Sequence, residues 1–203
     1  MRLKITLPVL ALLATGVACI PMLPSAPYQA GKVGLTVDAD GHLTVVLAWC
    51  EGATPEDVHV NHPESPSGVA LADTFGDYHL VTDAEYRAPD LDGGLVATFR
   101  LNLPDNGWTA EPGPPTLKPG VMYFLGAGRG RGVDRINAMG VQFTTDDLKQ
   151  LTPGQVLVQR TREVPLPTPI DEASIGIVFY SGPISQQQFN QEGQNPADCQ
   201  PFA

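Results

Sequence analysis

Apolar residues in this chain come in short alternating runs, each closed by glycine, proline or an Asp-Gly pair, and this punctuation constrains the fold more than any other feature. With 21 glycines and 20 prolines in 203 residues, few stretches are long enough for an amphipathic helix. Proline removes a backbone donor, and glycine is costly inside a helix. Residues 33–37 alternate, Ala39-Asp40-Gly41 supplies a turn, and 42–50 reads as a buried strand, so the pair predicts a hairpin. Further strands are expected at 58–60, near 69–71 and 78–81, and at 95–103, 121–126, 136–143, 155–160 and 174–180. Only residues 145–151 read as a helix, with a Thr or Asp cap and Leu148 and Leu151 at helical spacing. The Gln/Asn-rich C-terminal stretch reads as coil. The expected fold class is all-β, a single antiparallel β-sandwich, loosely immunoglobulin-like, with one short helix. The immunoglobulin signature itself is missing, because Trp49 directly precedes Cys50 and no second cysteine falls on a later core strand. Trp49 is expected in the core. Trp108, after Asp105-Asn106-Gly107, is expected at the surface, where it would suit stacking on sugar.

The N-terminus has a different grammar. Arg2 and Lys4 precede an apolar run over residues 5–18 that ends in small residues, the pattern of a secretory signal and too short to span a bilayer. Gly16-Val17-Ala18-Cys19 resembles the lipobox of bacterial lipoproteins, in which the cysteine is diacylated and becomes the new N-terminus. Gly16 and Val17 depart from the usual Leu and Ala or Ser. The alternative is cleavage without lipid, after Ala18 or after Ala26. Pro21, Pro24 and Pro27 favour an extended spacer. The expected organisation is a signal peptide over 1–18, a lipid-attachment site and Pro-rich tether over 19–31, and one β domain over 32–203. Lipobox, spacer, Asp-Gly hairpin and a strand ending in Trp49-Cys50 together resemble cell-envelope lipoproteins of the actinobacterial type, over roughly the first sixty residues. The resemblance implies an extracytoplasmic protein held at the outer face of the cell membrane, or otherwise secreted. It carries no active site across.

Charge narrows the partners. The formal net charge is −10, and the leader holds Arg2 and Lys4 but no acid, so the remainder is more acidic still. Such a surface argues against nucleic acid and against adhesion to anionic lipid by charge. If Cys19 takes lipid, Cys50 and Cys199 remain as one pair, and outside the cytoplasm a disulfide is the default. Two free thiols are the alternative.

Several groupings invite chemistry. In the glycine-rich run 126–132, Arg129 and Arg131, with Arg135 beyond it, form a candidate anion-binding set, since guanidinium groups hold carboxylate or phosphate in a bidentate way. The simpler reading is a hairpin loop whose arginines balance an acidic surface. The run is neither a dinucleotide fingerprint nor a phosphate loop. His59 and His62, near Asp57 and Glu64, invite a metal, with His42 and His79 as further ligands, but residues i and i+3 on a strand point to opposite faces. Asp83, Glu85, Asp90 and Asp92 form an oxygen-rich stretch without calcium-loop spacing. No nucleophile elbow is present. No catalytic residue, metal ligand or cofactor is therefore assigned. The sequence predicts a binding or structural module of the cell envelope, attached to the membrane by its lipid, with an envelope protein or glycan as partner. A secreted hydrolase using a metal or carboxylate site is the alternative. Oligomeric state stays open.

Overall fold

The computed structural model describes residues 28–64, 79–91, 94–131, 135–165, 175–197 and 199. The described chain is mostly strand: β1 (Tyr28–Val37), β2 (Leu43–Trp49), β3 (Asp57–Pro63), β4 (Leu80–Arg87), β5 (Val96–Arg100), β6 (Thr109–Glu111), β7 (Tyr123–Arg129), β8 (Ile136–Phe143), β9 (Gln155–Pro165) and β10 (Ile175–Ser185). Two helices accompany them, α1 (Thr145–Leu148) and α2 (Gln186–Gly193). The all-β class is as expected, and the Asp-Gly hairpin joins β1 to β2 with Val37 opposite Leu43. The strand expected near 69–71 lies outside the described residues, as does Cys19.

All ten strands belong to one sheet, ordered β10-β9-β1-β8-β7-β3-β4-β6, with β2 on the other edge of β1 and β5 beyond it. The arrangement turns on β1. Its first residues run parallel to β8, with Tyr28 opposite Ile136 and Lys32 opposite Met139, after which Leu35 pairs with Leu157 of β9. The sheet therefore forks along β1, and this parallel pair departs from a purely antiparallel sandwich. The two flanks of the sheet curl toward each other. Val33, Leu35, Val45, Leu47 and Phe99 from β1, β2 and β5 share one buried cluster with Val58, Val60, Tyr86, Leu125 and Val141 from β3, β4, β7 and β8. The faces meet as the two layers of a sandwich do, with side chains alternating inward along each strand.

Aromatic contacts lock this core. Phe99 stacks on Trp108 with centroids 4.3 Å apart and lies 4.8 Å from Tyr86, tilted. The Tyr86 hydroxyl donates to the Leu101 carbonyl at 2.7 Å, and burial pushes its pKa well above the ordinary phenol value. Trp108 is 4 % exposed, which corrects its expected surface position. The turn at Asn106 and Gly107, both at positive φ, aims the indole back into the core, so it is closed to stacking on sugar. Trp49 is buried as expected.

β2 is buried on both faces. Its second face carries Val46 and Ala48, which pack with Val156, Val158 and Phe189. Phe189 belongs to α2, in the stretch expected to be coil; a helix stands there instead. Ser185 caps it by accepting from the Gln188 amide at 3.1 Å. Gly34 makes the fit possible, since a Cβ there would lie 2.5 Å from Val156 Cγ1 and 2.7 Å from the Leu157 carbonyl oxygen. Glu192 ties the helix down by accepting from Lys32 of β1 and, at 3.1 Å, from Arg160 of β9. Burial works against its ionisation, but hydrogen bonds from Lys32 and Gln188, with the charges of Lys32 and Arg160, hold the carboxyl below its ordinary value. Just past α2, Cys199 is bonded to Cys50 across a sequence separation of 149, with Cα atoms 5.5 Å apart. The helix expected over 145–151 is shortened to α1, and its capping box between Thr144 and Asp147 is complete.

Truncating Phe189 should leave a cavity between α2 and β2. Phe189→Ala is expected to cost about 3–5 kcal/mol, read as a lower midpoint of urea unfolding at unchanged slope. A loss under 1 kcal/mol would mean that α2 does not cover β2 in solution.

Candidate functional site

The outward faces of β3, β7 and β8 form the floor of a groove of about 710 Å³. Strand alternation decides which side chains reach it. Val58 and Val60 point into the core, so Asp57, His59 and Asn61 point outward; Leu125 and Ala127 point inward, so Phe124, Gly126 and Gly128 point outward. Register then sets two cross-strand rows. Asn61 lies opposite Phe124, and Phe124 opposite Gln142. In the next row His59 lies opposite Gly126, and β8 is irregular here, placing Met139 and Gly140 beside that glycine. A Cβ at Gly126 would fall 2.4 Å from His59 Nε2, so the missing side chain is what allows the imidazole to lie down against the sheet.

The β9–β10 hairpin makes one wall. Where β1 leaves β8 for β9, the freed edge of β8 is met by side chains: Gln142 donates its backbone N–H to Gln159 Oε1 at 3.2 Å, and Ser181 Oγ donates to the Gln142 carbonyl. The Gln159 amide nitrogen donates in turn to the Tyr180 carbonyl at 3.4 Å. Thr161 and Phe179 line this wall, and Leu80 of β4 lines the groove on the far side of β3. Phe179 is 61 % exposed and Leu80 37 %. With Met122, Phe124 and Met139 they give the groove an apolar body. Its polar side chains are Gln29, His59, Asn61, Gln142, Gln159 and Thr161. Among the described residues, no Asp, Glu, Lys or Arg lines it.

One atom stands out. Asn61 is 9 % exposed, and its Oδ1 is buried without a hydrogen-bond partner. Trp49 Nε1 and Thr145 Oγ1 share that condition, but neither residue lines the groove. Buried acceptors are ordinarily satisfied, and one that is not needs a physical account. Sequence reasoning passed over Asn61 while weighing the histidines on either side of it. The signal was an amide at an outward position of a strand whose flanking apolar residues point inward.

The residues singled out from sequence fall elsewhere or apart. His59 and His62 sit on opposite faces of β3, as strand geometry requires. His59 Nδ1 lies 3.7 Å from Asp57 Oδ1, while His62 Nδ1 lies 2.7 Å from Asp83 Oδ2 and its ring is 6.1 Å from that of Tyr123. Among the described residues, Asp38, Asp40 and His42 form the one group of three ligating side chains near enough to share an ion. That group is the β1–β2 turn. Asp38 Oδ1 accepts from the backbone N–H of Asp40 at 3.0 Å and of His42 at 2.8 Å, and its other oxygen accepts from Arg100 at 3.2 Å. The His42 bond leads the influences that lower the Asp38 pKa. Glu85 pairs with Arg87; His79 and Asp90 are exposed, and Asp92 lies outside the described residues. Of the arginines, Arg129 donates to the Gly52 carbonyl at 3.0 Å, and Arg135 to Asn137 at 2.7 Å and to Asp57 at 3.2 Å. Two of the three guanidinium groups thus serve acceptors within the chain, and Arg131 is exposed.

Asp57 faces both His59, which lines the groove, and Arg135. Burial opposes its ionisation, but the adjacent His59 imidazole and the Arg135 guanidinium outweigh it, so its pKa lies below the ordinary 3.8. A lowered carboxylate stabilises the fold above its unfolded value and loses that contribution as pH falls through the folded one. Wild type should therefore exceed Asp57→Asn in stability at neutral pH, with the gap closing on acidification below the ordinary aspartate range. Urea unfolding across a pH series reads this out, and a gap that stays constant would show Asp57 to be uncoupled. Comparison with known proteins matches no family model, no curated protein and no solved structure, so function is argued from the groove itself.

Proposed function

We propose that this chain is an exported cell-envelope protein, tethered by lipid on Cys19 at the outer face of the membrane, which works as a binding module with the β3–β7–β8 groove as its ligand site. The observation that carries the reading is the groove: about 710 Å³, within the range of small-molecule sites, apolar in its body and with few polar groups. The Cys50–Cys199 bond supports an oxidising compartment, where disulfides persist. The basic-then-apolar leader supports export, and the Pro-rich spacer gives a tether between lipid and domain. A concave site of this size favours a small molecule over a flat protein partner.

The uncharged fluorophore N-phenyl-1-naphthylamine tests the site. Binding to the full mature chain should be saturable and of one-to-one stoichiometry. Thr161→Trp, at an exposed position on the groove wall, should weaken it at least about tenfold, or about 1.4 kcal/mol. Binding that ignores this substitution would remove the groove as the site. Anchoring is tested separately: Cys19→Ala should move the protein from the membrane fraction to the soluble one, and unchanged partitioning would show that no lipid is attached there.

A further inference from the structure

The inventory of the groove defines its ligand more narrowly. Among the described residues no ammonium, guanidinium or carboxylate lines it, so a charged ligand would find no fixed counter-ion among them, at a steep desolvation cost. Two methionines and two phenylalanines supply its apolar body, and unbranched methionine adapts to a flexible chain. Part of the polar complement is already engaged. Gln159 uses both ends of its amide on Gln142 and Tyr180, the Gln142 backbone is occupied on both sides, and His59 turns one ring nitrogen toward Asp57. A sugar, with hydroxyls on every side, matches the apolar run of Met122, Phe124, Met139 and Phe179 poorly. Asn61 Oδ1 is the buried acceptor left over, and it lies in the row that ends on Phe124 and Gln142.

We infer that the groove takes a neutral amphiphile, an apolar chain carrying one hydrogen-bond donor, with the chain along Met122, Phe124, Met139 and Phe179 and the donor on Asn61 Oδ1. This rests on the groove being a ligand site, as proposed above. The donor satisfies an acceptor that the fold buries without a partner, and a ligand lacking it keeps that atom unpaired. Matched ligands with and without a donor should therefore differ more than a solvent-exposed hydrogen bond would allow.

The test displaces N-phenyl-1-naphthylamine from the full mature chain with decan-1-ol, its methyl ether and decanoate at neutral pH. Decan-1-ol is expected to compete about tenfold better than the ether, and decanoate worse than decan-1-ol. In Asn61→Leu the alcohol-to-ether ratio should fall to about one. That variant exchanges an unpaired buried acceptor for an apolar group, so its urea midpoint should hold or rise, which reports folding independently of binding. Failure of the fluorophore to bind wild type would overturn the ligand-site reading and this inference with it. Saturable fluorophore binding with equal competition by alcohol and ether would overturn the inference alone. So would stronger competition by decanoate, or an alcohol preference that survives in Asn61→Leu.

Discussion

Everything that shapes the groove follows from how β1 divides one of its edges between two strands. β2 takes the other edge along seven consecutive pairs, which fixes β1 in the centre of the molecule. The divided edge begins parallel to β8 and ends antiparallel to β9. Two strands cannot occupy one edge at one height, so β9 and β10 must diverge from the plane of β8. The divergence costs β8 its backbone partners beyond Met139, and unpaired backbone groups at a buried edge are expensive. Gln159 and Ser181 supply the missing bonds to Gln142. The same side chains that repair the ladder hold the hairpin upright beside the sheet, and a wall results where a flat edge would have been. Glycine contributes at two points: Gly34 admits Val156 and Phe189 on one side of the fork, and Gly126 admits the His59 ring on the other.

The all-β class was legible because period-two alternation and turn chemistry act locally, and the β1–β2 hairpin obeys both. The disulfide was legible from the cysteine count together with the signal-like pattern of the first residues. What escaped was set by distant partners. α2 has a single buried apolar side chain besides its terminal glycine, so no helical stripe exists to be read in Gln186–Gly193; Phe189 makes it a helix by filling the hole over Gly34. Trp108 looked like a turn residue, and it sits beside one. Yet positive φ at Asn106 and Gly107 reverses the chain and sends the indole onto Phe99. The parallel β1–β8 pair joins segments about a hundred residues apart, and no local pattern announces it. Asn61 was invisible for a related reason. An asparagine between two histidines reads as part of a polar loop until the register shows which neighbours it has lost.

The surface and the groove follow opposite electrostatic rules. An acidic exterior keeps a protein soluble and repels anionic surfaces, whereas the described lining of the groove excludes every formal charge. Asp57, on the same outward face as the groove, is neutralised between His59 and Arg135. Such a division would suit the uncharged ligand proposed for the groove. The exterior discourages adhesion, while the groove offers an environment of low polarity that water does not match.

Asn61 also bears on why the site would discriminate rather than simply absorb apolar matter. An apolar groove binds by area, and area alone separates one hydrocarbon from another only weakly. A buried acceptor changes this. A ligand that satisfies it gains a hydrogen bond in a medium where the bond is strong, and one that does not leaves the acceptor desolvated. Asn61 can be held in that position because Val60 anchors the backbone on the core side and Phe124 flanks it on β7. The fold thus keeps one costly polar atom in an otherwise apolar surface, and selectivity is the physical return that such an atom can give.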